Sequence, residues 1–261
     1  MLVFTQTGYV SDSPYALKPL GVDALAAVAA LEQACVTESN VATGYLGAVQ
    51  TDRHRMDLLA EGGTMTGAFD ENDALVAQQL GRFLPAAEDL QRLNTAFDAL
   101  NASACVFPTY LMYNNFTARI AQNKKLHEKF LAHGIATATA KGVYAQIFQA
   151  SPRNVTVMRS GLRNGFMLVG CGMHNGLKEQ QLVFVRQNNL SLDAAETCAL
   201  YPKEIQPVAL QDWQKLADRF ESDYVGVALD ITQQIIYLLP YETVRQASAD
   251  QQQERNLLAN A

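Results

Sequence analysis

The chain has 261 residues, 49% of them hydrophobic, with a formal net charge of −6 and a pI near 5.2. That composition supports a buried core. It excludes a disordered chain, and it excludes a protein that holds nucleic acid by neutralising phosphates with Lys and Arg.

Met1 to Val10 reads as an opening strand, followed by a turn-rich stretch through Pro14 and Pro19. Val22 to Cys35 is almost wholly apolar or Ala, which predicts a helix with little polar face, buried on all sides. Asn40 to Gly67 carries five glycines around Asp52-Arg53-His54-Arg55 and reads as loops or strands, the mobile part of the chain. Asp70 and Asp73 resemble an N-cap pair, and Val76, Leu80 and Phe83 then recur at helical spacing. Pro85 opens a second helix with a stripe of Leu90, Leu93, Phe97 and Leu100. A third is expected after Pro108, with Met112, Phe116 and Ile120 inward and Gly134 at its end. Arg119, Lys124, Lys125 and Lys129, with Glu128 interleaved, read as a solvated helix face.

From Ile135 the residues become β-branched and aromatic. Three apolar stretches (Val155–Met158, Phe166–Val169, Leu182–Val185) are separated by Arg163-Asn164-Gly165 and His174-Asn175-Gly176, which predicts a meander with two Asn-Gly turns. Leu210, Trp213, Leu216 and Phe220 form an amphipathic helix. A hairpin from Tyr224–Leu229 to Ile235–Leu239 follows, then a Gln-rich tail. The expected fold is α+β: a helix-rich N-terminal and middle part packed on a mainly antiparallel sheet of C-terminal hairpins. It is read as one domain over 1–261, with a subdivision into 1–134 and 135–261.

Gly170-Cys171-Gly172-Met173-His174-Asn175-Gly176 has the look of a dinucleotide loop, but Leu177 leads into a strand where a helix would have to meet the pyrophosphate, so no cofactor is expected. Cys171 and His174 supply half of a metal site and no second half, so no metal is expected either. As thiol nucleophile and imidazole base, the same two residues are candidate catalytic groups. Their odd spacing on one strand, however, points them to opposite faces. His54 is the remaining candidate. Between Arg53 and Arg55, in what reads as a glycine-flanked loop, it would sit beside two guanidinium forks suited to a carboxylate or phosphate. Tyr110, Tyr113, Asn114 and Asn115 read as core and capping residues.

Cys35, Cys105, Cys171 and Cys198 are too dispersed for a disulfide framework. No apolar run reaches the roughly 18 residues that span a bilayer, and Met-Leu-Val-Phe-Thr has no leader character. The chain is expected to be cytoplasmic, without membrane or nucleic-acid partners. No clustered acid-base or phosphate-loop signature stands out. The leading reading is therefore a non-enzymatic interaction or regulatory protein of the kind a phage directs at a host partner, acting through a surface as a homodimer. The alternatives are a hydrolase or transferase using Arg53, His54 and Arg55 or Cys171 and His174, and a small-ligand sensor.

Overall fold

The residues from Val76 to Gly81 are buried on both faces of a strand, and a strand buried twice requires a helical layer on each side. The structure, a computed structural model, describes residues 1–5, 13–38, 50–84, 99–100, 108–122, 124–174, 179–190 and 192–259. Its strands are β1 (Leu2–Phe4), β2 (Ala16–Pro19), β3 (Thr64–Phe69), β4 (Leu75–Leu84), β5 (Ala99–Leu100), β6 (Thr109–Thr117), β7 (Ala145–Ala150), β8 (Met167–His174), β9 (Glu179–Gln187), β10 (Gln206–Ala209), β11 (Tyr224–Asp230) and β12 (Ile235–Pro240). Its helices are α1 (Leu25–Glu38), α2 (Asp52–Ala60), α3 (Leu126–Ala140), α4 (Val155–Arg163), α5 (Ala194–Leu200), α6 (Trp213–Glu221) and α7 (Tyr241–Ala259).

All twelve strands join one sheet in the order β10-β12-β11-β8-β9-β7-β6-β4-β3-β2, with β1 on β11 and β5 on β8. Neighbours pair antiparallel except β6 and β7, which are parallel. Helices α3, α4 and α6 cover one face through Leu131, Met158, Leu162 and Phe220, packed on Met112, Phe148 and Phe184. On the other face, α1 and α2 bring Val28 and Leu58 against Met65 and Leu80, while Ala194 of α5 and Val244 of α7 cover Val183, Val225 and Leu239.

The α+β class, the mainly antiparallel sheet, the amphipathic helix α6 and the β11–β12 hairpin agree with the sequence reading. Several segments are corrected. Val76, Leu80 and Phe83 lie on strand β4, whose double burial removes the alternation that marks a half-exposed strand. Asp70 and Asp73 form the β3–β4 turn, with Asp70 Oδ1 accepting from the Asn72 and Ala74 amides and Asp73 at φ 61°. Met112 and Phe116 belong to strand β6. The bulge between them, where Gln78 pairs with Phe116 while Leu80 pairs with Tyr113, sends them to opposite faces, Met112 against Leu131 and Phe116 against Leu31 and Cys35 of α1. Ile120 is 79% exposed rather than inward.

Val155–Met158 opens helix α4, where Asn154 accepts from the Val157 amide as N-cap. Asn164-Gly165 is that helix's end and not a hairpin turn. Phe166 N–H donates to Gly161 O, Gly165 N–H donates to Leu162 O, and Gly165 takes φ 82°, the left-handed closure that favours glycine. Gly134 stands inside α3, where an added Cβ would lie 2.4 Å from Met112 Sδ; its smallness brings helix and strand together. Among its described side chains helix α1 is buried along Val28, Leu31, Glu32 and Cys35, and it exposes Ala26, Ala27, Ala30 and Ala34. The stripe expected at Leu90, Leu93 and Phe97 and the turn residues Asn175 and Gly176 lie outside the described residues. No described helix is long and apolar enough to cross a membrane.

Gly81 offers a test of this packing. An added Cβ there would fall 1.8 Å from Tyr110 Oη and 2.7 Å from Thr64 Oγ1. Gly81→Ala is expected to cost about 1–3 kcal/mol in urea denaturation, because the phenol must swing out of its place. An unchanged unfolding midpoint would show that the ring has room to spare.

Candidate functional site

The parallel pair at the centre of the sheet comes apart. Thr109, Tyr110 and Leu111 of β6 pair with Ala145, Gln146 and Ile147 of β7, and the register stops there. Strand β6 continues to Thr117, bonded to β4 on one side, while β7 continues to Ala150, bonded to β9 on its far side. Among the described residues no strand pairs with the two facing edges, Met112–Thr117 and Phe148–Ala150. Backbone N–H and C=O groups must find partners, and two parallel edges in mid-sheet present them to whatever enters between.

Three features converge on this split. The first is the β6 bulge at Asn114–Asn115, which turns backbone groups out of the ladder; the Nδ2 of Asn115 is sealed from solvent with no partner among the described residues.

The second is the amino end of α3. Its N-cap residue, Lys125, has φ 56° and makes no side-chain cap bond, and a helix amino end carries a positive dipole. Lys124 and Lys125 are exposed beside them. Contact between α3 and the split is direct: His127 stands edge-on to Phe148 of β7, with ring centroids 5.7 Å apart. Burial lowers the His127 pKa to about 4, and its Nδ1 is enclosed with no partner among the described residues. Lys129 does not lie on a free face, since its ammonium bonds the carbonyls of Ser13, at 2.9 Å, and Tyr15.

The third is helix α2, on the opposite face. Arg53, His54 and Arg55 are helical and not in a glycine-flanked loop, because Thr51 caps the helix by accepting from the His54 amide and Asp52 occupies the first turn. Their fates then diverge at helical spacing. Arg53 is 91% exposed, with Asp57 at 3.8 Å. Arg55 is fully buried, donating to Glu32 Oε2 of α1 at 2.7 Å and to Asp52 Oδ1 at 2.6 Å. Glu32 also accepts from Gln78 Nε2 of β4 at 3.0 Å and from the Gln50 amide at 2.9 Å. Burial raises the Glu32 pKa, and the bonds from Gln50 and Arg55 work against that shift. Arg55 is therefore a lock between α1, α2 and the sheet, with no fork free for a ligand. His54 points to the sheet, where its Nε2 lies 3.1 Å from Tyr113 Oη of β6. Burial pushes the Tyr113 pKa up to about 12.

Cys171 is fully buried between Leu182 and the helices of the α3–α4 face, far in the sheet order from β6. His174 lies three residues further along the same strand, and the residues after it fall outside the described set. Tyr113 is the residue that the sequence reading assigned to the core. Its signal was the Tyr-Asn-Asn break in the apolar pattern of β6, which marks the bulge. Among the described residues no group of His, Cys, Asp and Glu is placed to hold a metal ion.

No protein-family model matches the sequence, and no curated protein matches it either. Solved structures do resemble it. The NatC complex bound to Gag peptide and CoA superposes with a TM-score of 0.51 at 9% identity, over 66% of this chain and 98% of that one. A GNAT superfamily phosphinothricin acetyltransferase from Sinorhizobium meliloti, in complex with AcCoA, gives 0.49 at 13% identity, over 67% and 88%. A ribosomal-protein-alanine N-acetyltransferase from Brucella melitensis gives 0.49 at 14% identity, over 66% and 99%. The likeness is one of fold. It corrects the expectation of a non-enzymatic regulatory protein that binds a partner through its surface: the chain shares its architecture with solved acetyltransferases.

Two measurements test the electrostatics of the site. Arg55→Met leaves the Glu32 carboxylate buried without its partner and is expected to cost about 3–5 kcal/mol; replacing Glu32 by Leu as well should recover most of that loss. A single variant as stable as the parent would show that water reaches Glu32. For His127, the unfolded imidazole binds a proton near pH 6.5 and the folded one only near 4, so stability falls as pH drops through that window. His127→Gln is expected to flatten that slope in pH-dependent denaturation, and an unaltered slope would assign it to other groups.

Proposed function

We propose that this chain is an acyltransferase whose acyl donor is a CoA thioester laid into the β6–β7 split. The observation that carries the reading is the three-rung register of the parallel pair, which leaves two strand edges open in the middle of a sheet. An extended ligand arm bearing amides can bond to such edges as an added strand would. The amino end of α3, with the positive end of the helix dipole and with Lys124 and Lys125 beside it, suits the phosphates. The fold it shares with a structure bound to CoA supports the same assignment.

The turn into α3 contains no glycine at Gln122, Lys124 or Lys125, so Lys125 itself takes the left-handed conformation. Phosphate oxygens would therefore meet a helix amino end flanked by long cationic side chains. A bound thioester supplies an activated acyl carbon and a thiolate leaving group. The chain's own residues anchor the donor at α3, line its arm with the β6 and β7 edges, and present Tyr113 and His54 where the arm emerges on the α1–α2 face.

Acetyl-CoA is expected to raise the melting temperature of the wild-type chain. Lys124→Glu combined with Lys125→Glu should weaken binding about tenfold or more by calorimetry, equivalent to about 1.4 kcal/mol. A wild-type chain that neither binds nor is stabilised by acetyl-CoA would overturn the assignment.

A further inference from the structure

Resting on the acyltransferase reading, we propose that His54 takes the proton from the acyl acceptor through its Nδ1, and that Tyr113 is the positioning residue that holds the ring for this. Tyr113 lies two residues beyond Leu111, the last rung of the parallel pair, and immediately before the bulge. Its ring packs with Leu58, Met65 and Leu80 on the α1–α2 face, whereas α3 covers the opposite face. A donor anchored at α3 and threaded through the split therefore delivers its reactive end beside Tyr113. His54 reaches the same place from α2, with its ring edge-on to the phenol at 6.2 Å between centroids and Nε2 at 3.1 Å from Oη.

The support behind His54 is stiff. Its helix is capped by Thr51 and pinned at the next residue by the buried Arg55–Glu32 pair, which fixes the imidazole on a rigid element. The phenol keeps its proton, because burial disfavours the phenolate. When Nε2–H donates to Tyr113 Oη, the lone pair sits on Nδ1. That atom has no hydrogen-bond partner among the described residues and is not sealed from solvent. Charged groups around the pair are Arg53 and Asp57 on α2, Glu61 at its end and Arg82 on β4, the last two bonded to each other at 2.5 Å. On α1, Glu32 is closed off with Arg55.

The step balances. The acceptor nitrogen forms a bond to the acyl carbon and gives its surplus proton to His54 Nδ1, and the carbon–sulfur bond breaks with its electron pair on sulfur. Solvent protonates the thiolate and receives the proton from His54.

The full chain, His54→Gln and Tyr113→Phe are compared for acetyl-CoA binding by calorimetry and for thiol release from acetyl-CoA, with water and with glycinamide as acceptors, over about pH 5 to 9. All three are expected to bind acetyl-CoA within about twofold. His54→Gln should lose about 10²–10⁴ in kcat/KM together with the acidic limb of the pH profile. Tyr113→Phe should lose about tenfold and shift the midpoint of that limb, which a merely structural hydrogen bond would not do. If the imidazole replacement disturbs α2, the Phe variant carries the test alone, with the His54 titration followed by NMR. Intact binding with an unchanged rate and acidic limb in both variants would overturn this assignment and leave the acyltransferase standing. Absence of acetyl-CoA binding by the wild-type chain would overturn both.

Discussion

The arrangement depends on a parallel strand pair that stops after three rungs. A parallel pair inside a sheet ordinarily runs its length, because each backbone donor or acceptor left unmade in a buried setting costs about 1–3 kcal/mol. Here Met112–Thr117 and Phe148–Ala150 give up that pairing, and the fold compensates on both sides of the gap. Strand β4 holds β6 through the bulge, β9 holds β7 to its last residue, and the close fit of Gly134 on Met112 seats α3 over the junction. Stability is thus kept in the flanking strands and the helical layers, which leaves two open edges in the middle of the sheet.

The two faces divide the work. On one, the positive end of the α3 dipole lies beside two exposed lysines, Lys124 and Lys125. On the other, α1 and α2 are joined by a buried carboxylate–guanidinium pair that also grips β4 through Gln78. Such a pair is a poor source of net stability, since desolvation offsets most of its attraction, but it fixes registry between the elements that share it. What it fixes here is the one-residue step from Arg55 in the core to His54 at the sheet, and so the distance from the imidazole to Tyr113. The enzyme reading belongs to this geometry. Neither His54 nor Tyr113 belongs to a sequence motif, and they stand 59 residues apart in the chain.

Much of the β-rich half was legible in the sequence. Phe166–Val169, Leu182–Val185 and the β11–β12 hairpin carry unbroken apolar runs between turn residues, and α6 has a clear amphipathic stripe. The central strands were not. Burial of β4 on both faces hid its alternation, and the four-residue spacing of Met112 and Phe116 imitated a helix face although the β6 bulge sends the two side chains to opposite faces. Val155-Thr-Val-Met imitated a strand because β-branched residues open a helix that Asn154 caps and Gly165 closes. Of the site, His54 was visible as an isolated imidazole between arginines, while its environment was misread because Thr51 was not recognised as a cap. Tyr113 was hidden, since a tyrosine before two asparagines reads as readily as a cap. The split itself is a property of register, which local sequence does not encode.

Hydrogen–deuterium exchange across the two open edges, with and without acetyl-CoA, tests the central claim most directly. The account expects amides within Met112–Thr117 and Phe148–Ala150 to exchange rapidly in the free chain and to gain protection on adding acetyl-CoA, with little change in the already paired β11–β12 hairpin. Equal exchange at those edges in the presence and absence of acetyl-CoA would contradict it.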